Sequence, residues 1–370
     1  MNMEANRIVV KIGSSSLTSD TGGLNVDQMA FFAKELASLY QAGYQVLLVT
    51  SGAVAAGFTA LGFESRPKLL HEKQASAAVG QALLMQAYQD KLSKHGIGAA
   101  QILLTRYDFT SRQRVHNASM TIDELLKRGF IPIINENDTV SVNELKFGDN
   151  DTLSALVGNL VKASKLMIIT DIDGLYTDNP RSNPEATRID RVTEITEDIY
   201  RIAGGSGSAV GTGGMRSKVE AARIATRGGV SVFIGRVMQQ GDLLQAVNDH
   251  GHGTYFDPNA NSNNLSMKKQ WVGYHSIVHG SITVDHGAVL ALQKGGKSLL
   301  PVGVKQVSGE FHPGDVVEVI DENEVIIGRG ITNYASWQLQ AVGGLSTDEV
   351  SKRIEVSRIE VIHRDEWVTL

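Results

Sequence analysis

The stretch Arg7-Ile8-Val9-Val10-Lys11-Ile12-Gly13-Ser14-Ser15-Ser16 decides the fold. Its first six residues are apolar and rich in β-branched side chains, the pattern of a short buried strand. A lysine stands inside that apolar run, and a glycine and three serines follow it. A lysine at the end of a buried strand, beside a loop of N–H and hydroxyl donors, suits a phosphate; a surface lysine reaching for solvent is the plainer alternative. Residues 45–50, 99–104, 131–134, 166–170 and 230–234 repeat the apolar pattern. Helices are expected between them over 26–42, 71–95, 117–127, 151–162 and 216–227. Apolar strands alternating with helices predict a parallel sheet covered on both faces. Ligands of such sheets sit at the carboxyl ends of the strands. The loops there, 13–16, 51–53, 135–151 and 170–174, are all polar or Gly-rich.

The chain has 370 residues, enough for two or three domains. With 42% hydrophobic and 20% charged residues it is neither disordered nor fibrous. It has no cysteine, which excludes disulfides, thiolate metal sites and a cysteine nucleophile and fits a reducing, cytoplasmic setting. The first residues lack a basic n-region and a long apolar h-region, and no apolar run reaches 18 residues, so neither a signal peptide nor a membrane span is expected.

The pattern changes near Asp257. Residues 259–275 read as a linker from their Asn- and Ser-rich start, dividing a domain over 1–258 from a small β-rich domain over 276–370. Strand-like runs in the second domain are 281–284, 299–301, 316–320 and 325–327. Residues 276–370 hold 8 Lys/Arg and 13 Asp/Glu, so the whole net charge of −5 falls there. That balance counts against nucleic acid as a partner, because phosphate contacts need cations.

Common nucleotide motifs fail. Gly296-Lys297-Ser298 ends like a P-loop, but Ala291 stands where its first glycine belongs. Gly211-Thr212-Gly213-Gly214-Met215-Arg216 departs from the dinucleotide fingerprint at Arg216. No metal-ligand pattern is present, and His275, His279 and His286 have no acidic cluster beside them. Three further features bear on chemistry. Thr50-Ser51-Gly52-Ala53 runs from a strand into a small-residue helix start whose free N–H groups suit an anion. Asn135-Glu136-Asn137-Asp138 follows a strand and Gly148-Asp149-Asn150-Asp151 opens a helix. Carboxylates and amides at that density suit an ammonium group, a metal ion or a lysine that needs orienting, whereas a helix N-cap explains only one of them. Finally, Gly214-Met215-Arg216-Ser217-Lys218 puts a lysine in the first turn of a helix, where the dipole disfavours cations and an anion opposite would offset that.

Taken together, these stretches resemble the amino acid kinase family, and within it the glutamate 5-kinases. The resemblance adds Asp173-Gly174-Leu175-Tyr176-Thr177 and Asp178-Asn179-Pro180-Arg181, and it spans residues 9–218. The paired Asn-Glu-Asn-Asp and Gly-Asp-Asn-Asp segments are its most specific part. Residues 282–285, 297–301 and Gly314-Asp315 are similar to a PUA domain. The resemblance implies an α/β/α sandwich with a mostly parallel sheet, and transfer of phosphate from MgATP to the γ-carboxylate of L-glutamate, the first step toward proline, with Mg²⁺ arriving on the nucleotide. It implies that Lys11 and Lys218 touch the phosphates and that Asp151 organises them. Ser51, Gly52, Asn135, Asp138 and Asn150 would hold glutamate. Gly13, Thr170, Asp171, Thr212, Gly213, Gly214, Met215, Arg216 and Ser217 would join the lysines around ATP. It further implies proline inhibition through the 138–151 loop, with Glu144 and Lys146 as contributors, handover of product to a glutamyl-phosphate reductase, and a dimer or tetramer. A sibling kinase for acetylglutamate or aspartate, and an RNA-binding protein acting through the C-terminal domain, are the competing readings.

Overall fold

The computed structural model describes residues 6–19, 23–105, 108–109, 111–140, 150–180, 182–204, 214–258, 272–273, 276, 278–293, 296–354 and 358–369. The chain forms two compact units, one of residues 1–108 and 113–264, the other of 109–112 and 265–370.

Among the described residues the first unit holds ten strands: β1 (Arg7–Ile12), β2 (Gln45–Thr50), β3 (Gly98–Leu104), β4 (Phe130–Glu136), β5 (Lys165–Ile169), β6 (Leu175–Tyr176), β7 (Arg188–Ile189), β8 (Arg191–Val192), β9 (Ser231–Gly235) and β10 (Gly253–Phe256). Eight of them make one sheet in the order β3-β4-β2-β1-β5-β9-β10-β8, and β6 pairs with β7 apart from it. Every pair from β3 across to β9 is parallel, and β10 runs antiparallel to β9. Consecutive residues Ile8 to Ile12 are all buried, so both faces of the sheet are covered, as continuous apolar strands require. The chain passes from β1 toward β2 on one side and returns to β5 on the other. Such a reversal of strand order leaves a crevice at the carboxyl ends, the usual ligand position in open α/β sheets.

The helices of this unit are α1 (Val26–Gln41), α2 (Ala53–Gly57), α3 (Leu70–Leu92), α4 (Arg112–Lys127), α5 (Asn150–Leu160), α6 (Glu197–Ala203), α7 (Met215–Arg227) and α8 (Asp242–Val247). Asn25 caps α1 by accepting from Gln28 N at 3.1 Å, satisfying one of the free donors of its first turn. Leu36, Leu84, Tyr88 and Phe233 pack with Ile8, Val10, Ile12 and Met167 in the main core. At the crossing of α2 and α3, Gly57 and Gly80 allow backbone to touch backbone.

The second unit has a five-stranded sheet ordered β12-β11-β13-β14-β15, from β11 (Val278–Val284), β12 (Val304–Gly309), β13 (Val316–Ile320), β14 (Ile326–Thr332) and β15 (Ile362–Thr369). Its core gathers Ile282, Val317, Tyr334, Leu339 and Trp367. The strand expected over 299–301 is not one. Leu299 makes a single bridge to Ile362, and Pro301–Gly303 then turns as a 3-10 helix. Pro301 has no N–H to give to a ladder, which accounts for the turn. Three short helices, α9 (His286–Gln293), α10 (Ser336–Val342) and α11 (Thr347–Arg353), escaped the sequence reading because seven or eight residues hold too few turns for a periodic signal. Most of the linker expected over 259–275 lies outside the described residues. Within that range, Val272 is fully buried against Val316 and Val368 of the second unit.

Candidate active site

The site grows from β1. Lys11 faces Val49 of β2 and Ile168 of β5 in register, so its stem is enclosed and only its ammonium reaches the end of the strand. Its Nζ lies 2.5 Å from Oδ1 of Asp151, a close ion pair rather than an aligned hydrogen bond. Asp151 opens α5, and its other oxygen, Oδ2, accepts from Nζ of Lys218 at 3.0 Å and from Oγ of Ser217 at 3.1 Å. Exposure is 0% for Asp151, 5% for Lys11 and 6% for Lys218. An isolated buried ammonium is costly, and one carboxylate between two of them lowers their mutual repulsion and fixes both positions. Together the three side chains carry one positive charge, which suits a polyanion. Gly13 adjoins the pair: a Cβ there would lie 3.5 Å from Lys11 Nζ, in contact with the ammonium group.

A second cluster lies one strand away. Asn150, the first residue of α5, directs Nδ2 to Thr50 O at 2.5 Å, Ser51 Oγ at 2.9 Å and Asn135 Oδ1 at 2.8 Å. Asn135, near the end of β4, also accepts from Glu136 N at 2.9 Å and donates Nδ2 to Gln81 Oε1 at 2.9 Å. Ser51 follows β2, and Gly52 after it takes φ +106°, a left-handed turn that glycine adopts without strain, to start α2. Beneath them Tyr88 Oη and Thr50 Oγ1 lie 3.1 Å apart. Burial pushes the Tyr88 hydroxyl well above its ordinary value, more than the Thr50 hydrogen bond lowers it, so the phenol stays neutral.

The fold thus brings together Lys11, Gly13, Asp151, Ser217 and Lys218 in one group, and Ser51, Gly52, Asn135 and Asn150 in another. Adjacent residues Asn150 and Asp151 join the two. Asp138 sits half-buried in the turn after β4. Thr170 directly follows β5, and its hydroxyl donates to the exposed Asp171 carboxylate at 3.1 Å. Gly214 is the N-cap of α7, Met215 and Arg216 are in its first turn, and Arg216 is exposed. Thr212, Gly213, Glu144, Lys146 and the Gly148-Asp149 pair lie outside the described residues. Among the described residues no group of three His, Asp or Glu side chains could hold a metal ion, and no helix is long and apolar enough to cross a membrane. Gln81 escaped the sequence reading, because a lone glutamine inside a long helix carries no local signal of what lies across from it.

Residues 6–236 match the model of the amino acid kinase family. The chain belongs to the amino acid kinase family. Residues 280–354 of this kinase match the PUA domain model. Its full-length relatives are named glutamate 5-kinase. One from Bacillus cereus is 50% identical over 368 residues, covering 100% of each chain. Another from Geobacillus kaustophilus is 52% identical, covering 100% of this chain and 98% of its own. Among solved structures, a carbamate kinase from Giardia lamblia bound to AMP-PNP covers 69% of this kinase and 99% of itself, at 15% identity and a TM-score of 0.50. That likeness concerns the fold alone.

Proposed function

We propose that this kinase transfers the γ-phosphoryl group of MgATP to the γ-carboxylate of L-glutamate, as the names of its full-length relatives suggest. The observation that carries the reading is the Asp151 carboxylate holding Lys11 and Lys218 at the carboxyl ends of the strands. A γ-carboxylate has a reference pKa near ~4.3, so the nucleophile is already ionised at neutral pH and needs no general base. The barrier is electrostatic, an anion approaching a polyanion, and is lowered by fixed cations around the transferring group. A carboxylate oxygen attacks the γ-phosphorus, the β–γ bridging bond breaks, and ADP leaves. Lys11 and Lys218 neutralise charge on the equatorial and leaving oxygens while Asp151 keeps both in place. The small-residue turn at Gly13 and the Gly214–Lys218 start of α7 admit the phosphates, with Thr170 and Asp171 flanking the nucleotide. Magnesium arriving with the nucleotide would supply further neutralisation of phosphate charge.

Glutamate lies on the second cluster. Asn150 shares its two amide hydrogens among Thr50 O, Ser51 Oγ and Asn135 Oδ1, so its Oδ1 is offered as an acceptor to the substrate ammonium. Ser51 Oγ accepts from Asn150, which turns its own hydrogen outward toward a substrate carboxylate. Asp138 completes the ammonium site. In this reading the labile acyl phosphate passes to a glutamyl-phosphate reductase, proline inhibits by occupying the acceptor site, and the kinase works in the cytoplasm as a homo-oligomer. Trapping the acyl phosphate with hydroxylamine tests it. Hydroxamate should form with MgATP and L-glutamate and not with acetylglutamate or aspartate. A preference for either of the latter refutes the assignment of substrate.

A further inference from the structure

Gln81 lies in α3, outside every segment that the sequence marks as functional, yet it is the far end of a directional chain of side-chain amides. Asn150 Nδ2 donates to Asn135 Oδ1 at 2.8 Å, and Asn135 Nδ2 donates to Gln81 Oε1 at 2.9 Å. Two main-chain groups fix the direction. Thr50 O can only accept, so Asn150 must present its nitrogen there. Glu136 N can only donate, so Asn135 must present its oxygen there. Gln81 is then compelled to turn Oε1 toward Asn135, because the reverse orientation would set donor against donor. The cost is visible: Gln81 is 8% exposed, and its Nε2 is buried without a hydrogen-bond partner among the described residues. A glutamine free to satisfy itself would not leave that donor stranded. The α2–α3 crossing holds it in place, since Gly80, the preceding residue, packs on the Ala53 carbonyl next to Ser51-Gly52.

We infer that Gln81 is a positioning residue for the acceptor substrate: by accepting from Asn135 Nδ2 it holds in place the amide to which Asn150 donates, and so supports the orientation set by Thr50 O and Glu136 N, with Asn150 Oδ1 toward the substrate and the Ser51 hydrogen turned outward. This rests on the acceptor site proposed above. It makes discrimination for an amino-acid ammonium depend on a residue that does not itself touch the substrate.

The test uses the full chain. Gln81→Met removes the acceptor at nearly constant volume, whereas Gln81→Glu restores an oxygen for Asn135 Nδ2. Expected for Gln81→Met is a glutamate KM raised about 10-fold with the ATP KM within about 2-fold, the size of one lost directional hydrogen bond in a buried site. Gln81→Glu should recover most of that loss. Equal damage to both KM values, an unchanged glutamate KM, or no rescue by Gln81→Glu overturns the inference. A stability cycle makes the test independent of the substrate assignment. The Tm losses of Gln81→Met and Asn135→Ala should be markedly less than additive, because either variant alone breaks the relay. Additive losses overturn the relay. If the unsubstituted kinase makes no glutamate-dependent hydroxamate while the cycle is non-additive, the substrate assignment fails and the relay stands.

Discussion

Gly80 and Ala53 meet backbone to backbone: a Cβ on Gly80 would stand 1.8 Å from the Ala53 carbonyl oxygen. A backbone atom cannot rotate away as a side chain can, so Gly80→Ala must push α2 and α3 apart. Overpacking of this kind costs about 1–3 kcal/mol. At this domain size that lowers Tm by roughly 3–10 °C. Because α2 starts at the Ser51-Gly52 turn, the glutamate KM should rise as well. Thermal unfolding with parallel kinetics checks both, and a wild-type Tm would show that the crossing has room to spare.

Removing either ammonium should harm the chemical step. Lys11→Ala and Lys218→Ala are each expected to lower kcat by at least ~10², the scale of losing one fixed charge stabiliser in an anionic transition state. Steady-state turnover measures this, and near-normal kcat in either variant would refute the shared-charge arrangement.

Asp151→Asn keeps the shape of the side chain but leaves two buried ammonium groups without their common carboxylate. Breaking a buried ion pair from one side costs about 3–5 kcal/mol. The variant should therefore lose both stability and kcat, which distinguishes it from a residue that acts on binding alone. Chemical denaturation and turnover on one preparation decide this, and unchanged stability is the failing result.

Asp138, half-buried beyond β4, is assigned to the substrate ammonium and not to the phosphates. Asp138→Ala should raise the glutamate KM more than it lowers kcat. A change confined to the ATP KM would place this carboxylate in the wrong half of the site.

Glu220 on α7 binds Arg223 at 2.6 Å and Tyr200 of α6 at 2.5 Å. Burial raises its carboxyl, but the hydrogen bonds and positive charges around it prevail and hold it below the ordinary carboxylate value. A carboxylate with a lowered folded-state pKa stabilises the fold above its unfolded value, and that contribution is lost as pH falls through the folded value. Glu220→Gln should thus lower Tm at neutral pH, with the difference from wild type shrinking once pH drops below about 4.3, the ordinary glutamate value. A difference that persists unchanged into acid would mean that packing, not charge, carries the effect.

Much of the first unit is local in origin. The strand 45–50 and the helices over 26–42 and 216–227 emerge within a residue of their expected places, because each is written in its own periodicity and end signals. Lys11 in an apolar strand and Lys218 at a helix start were legible for the same reason: each violates a local rule, and such violations collect at functional sites. The second unit is less local in origin. Its β12 and β15 strands and three short helices depend on pairing and packing with distant segments more than on any internal pattern.

The sequence by itself determined the strand–helix alternation and the kinds of side chain that line the loops at the carboxyl ends of the strands. Spacing along the chain says nothing about which cation shares which anion. The resemblance implied that Asp151 serves both lysines; only the tertiary structure decided which of its oxygens each lysine takes, and that Gln81 on α3 accepts from the Asn135 amide to which Asn150 donates. The reason is physical. Strand and helix patterns are short-range properties of the backbone, whereas buried charges and amides are satisfied only by partners that the crossing of distant elements brings within hydrogen-bond distance.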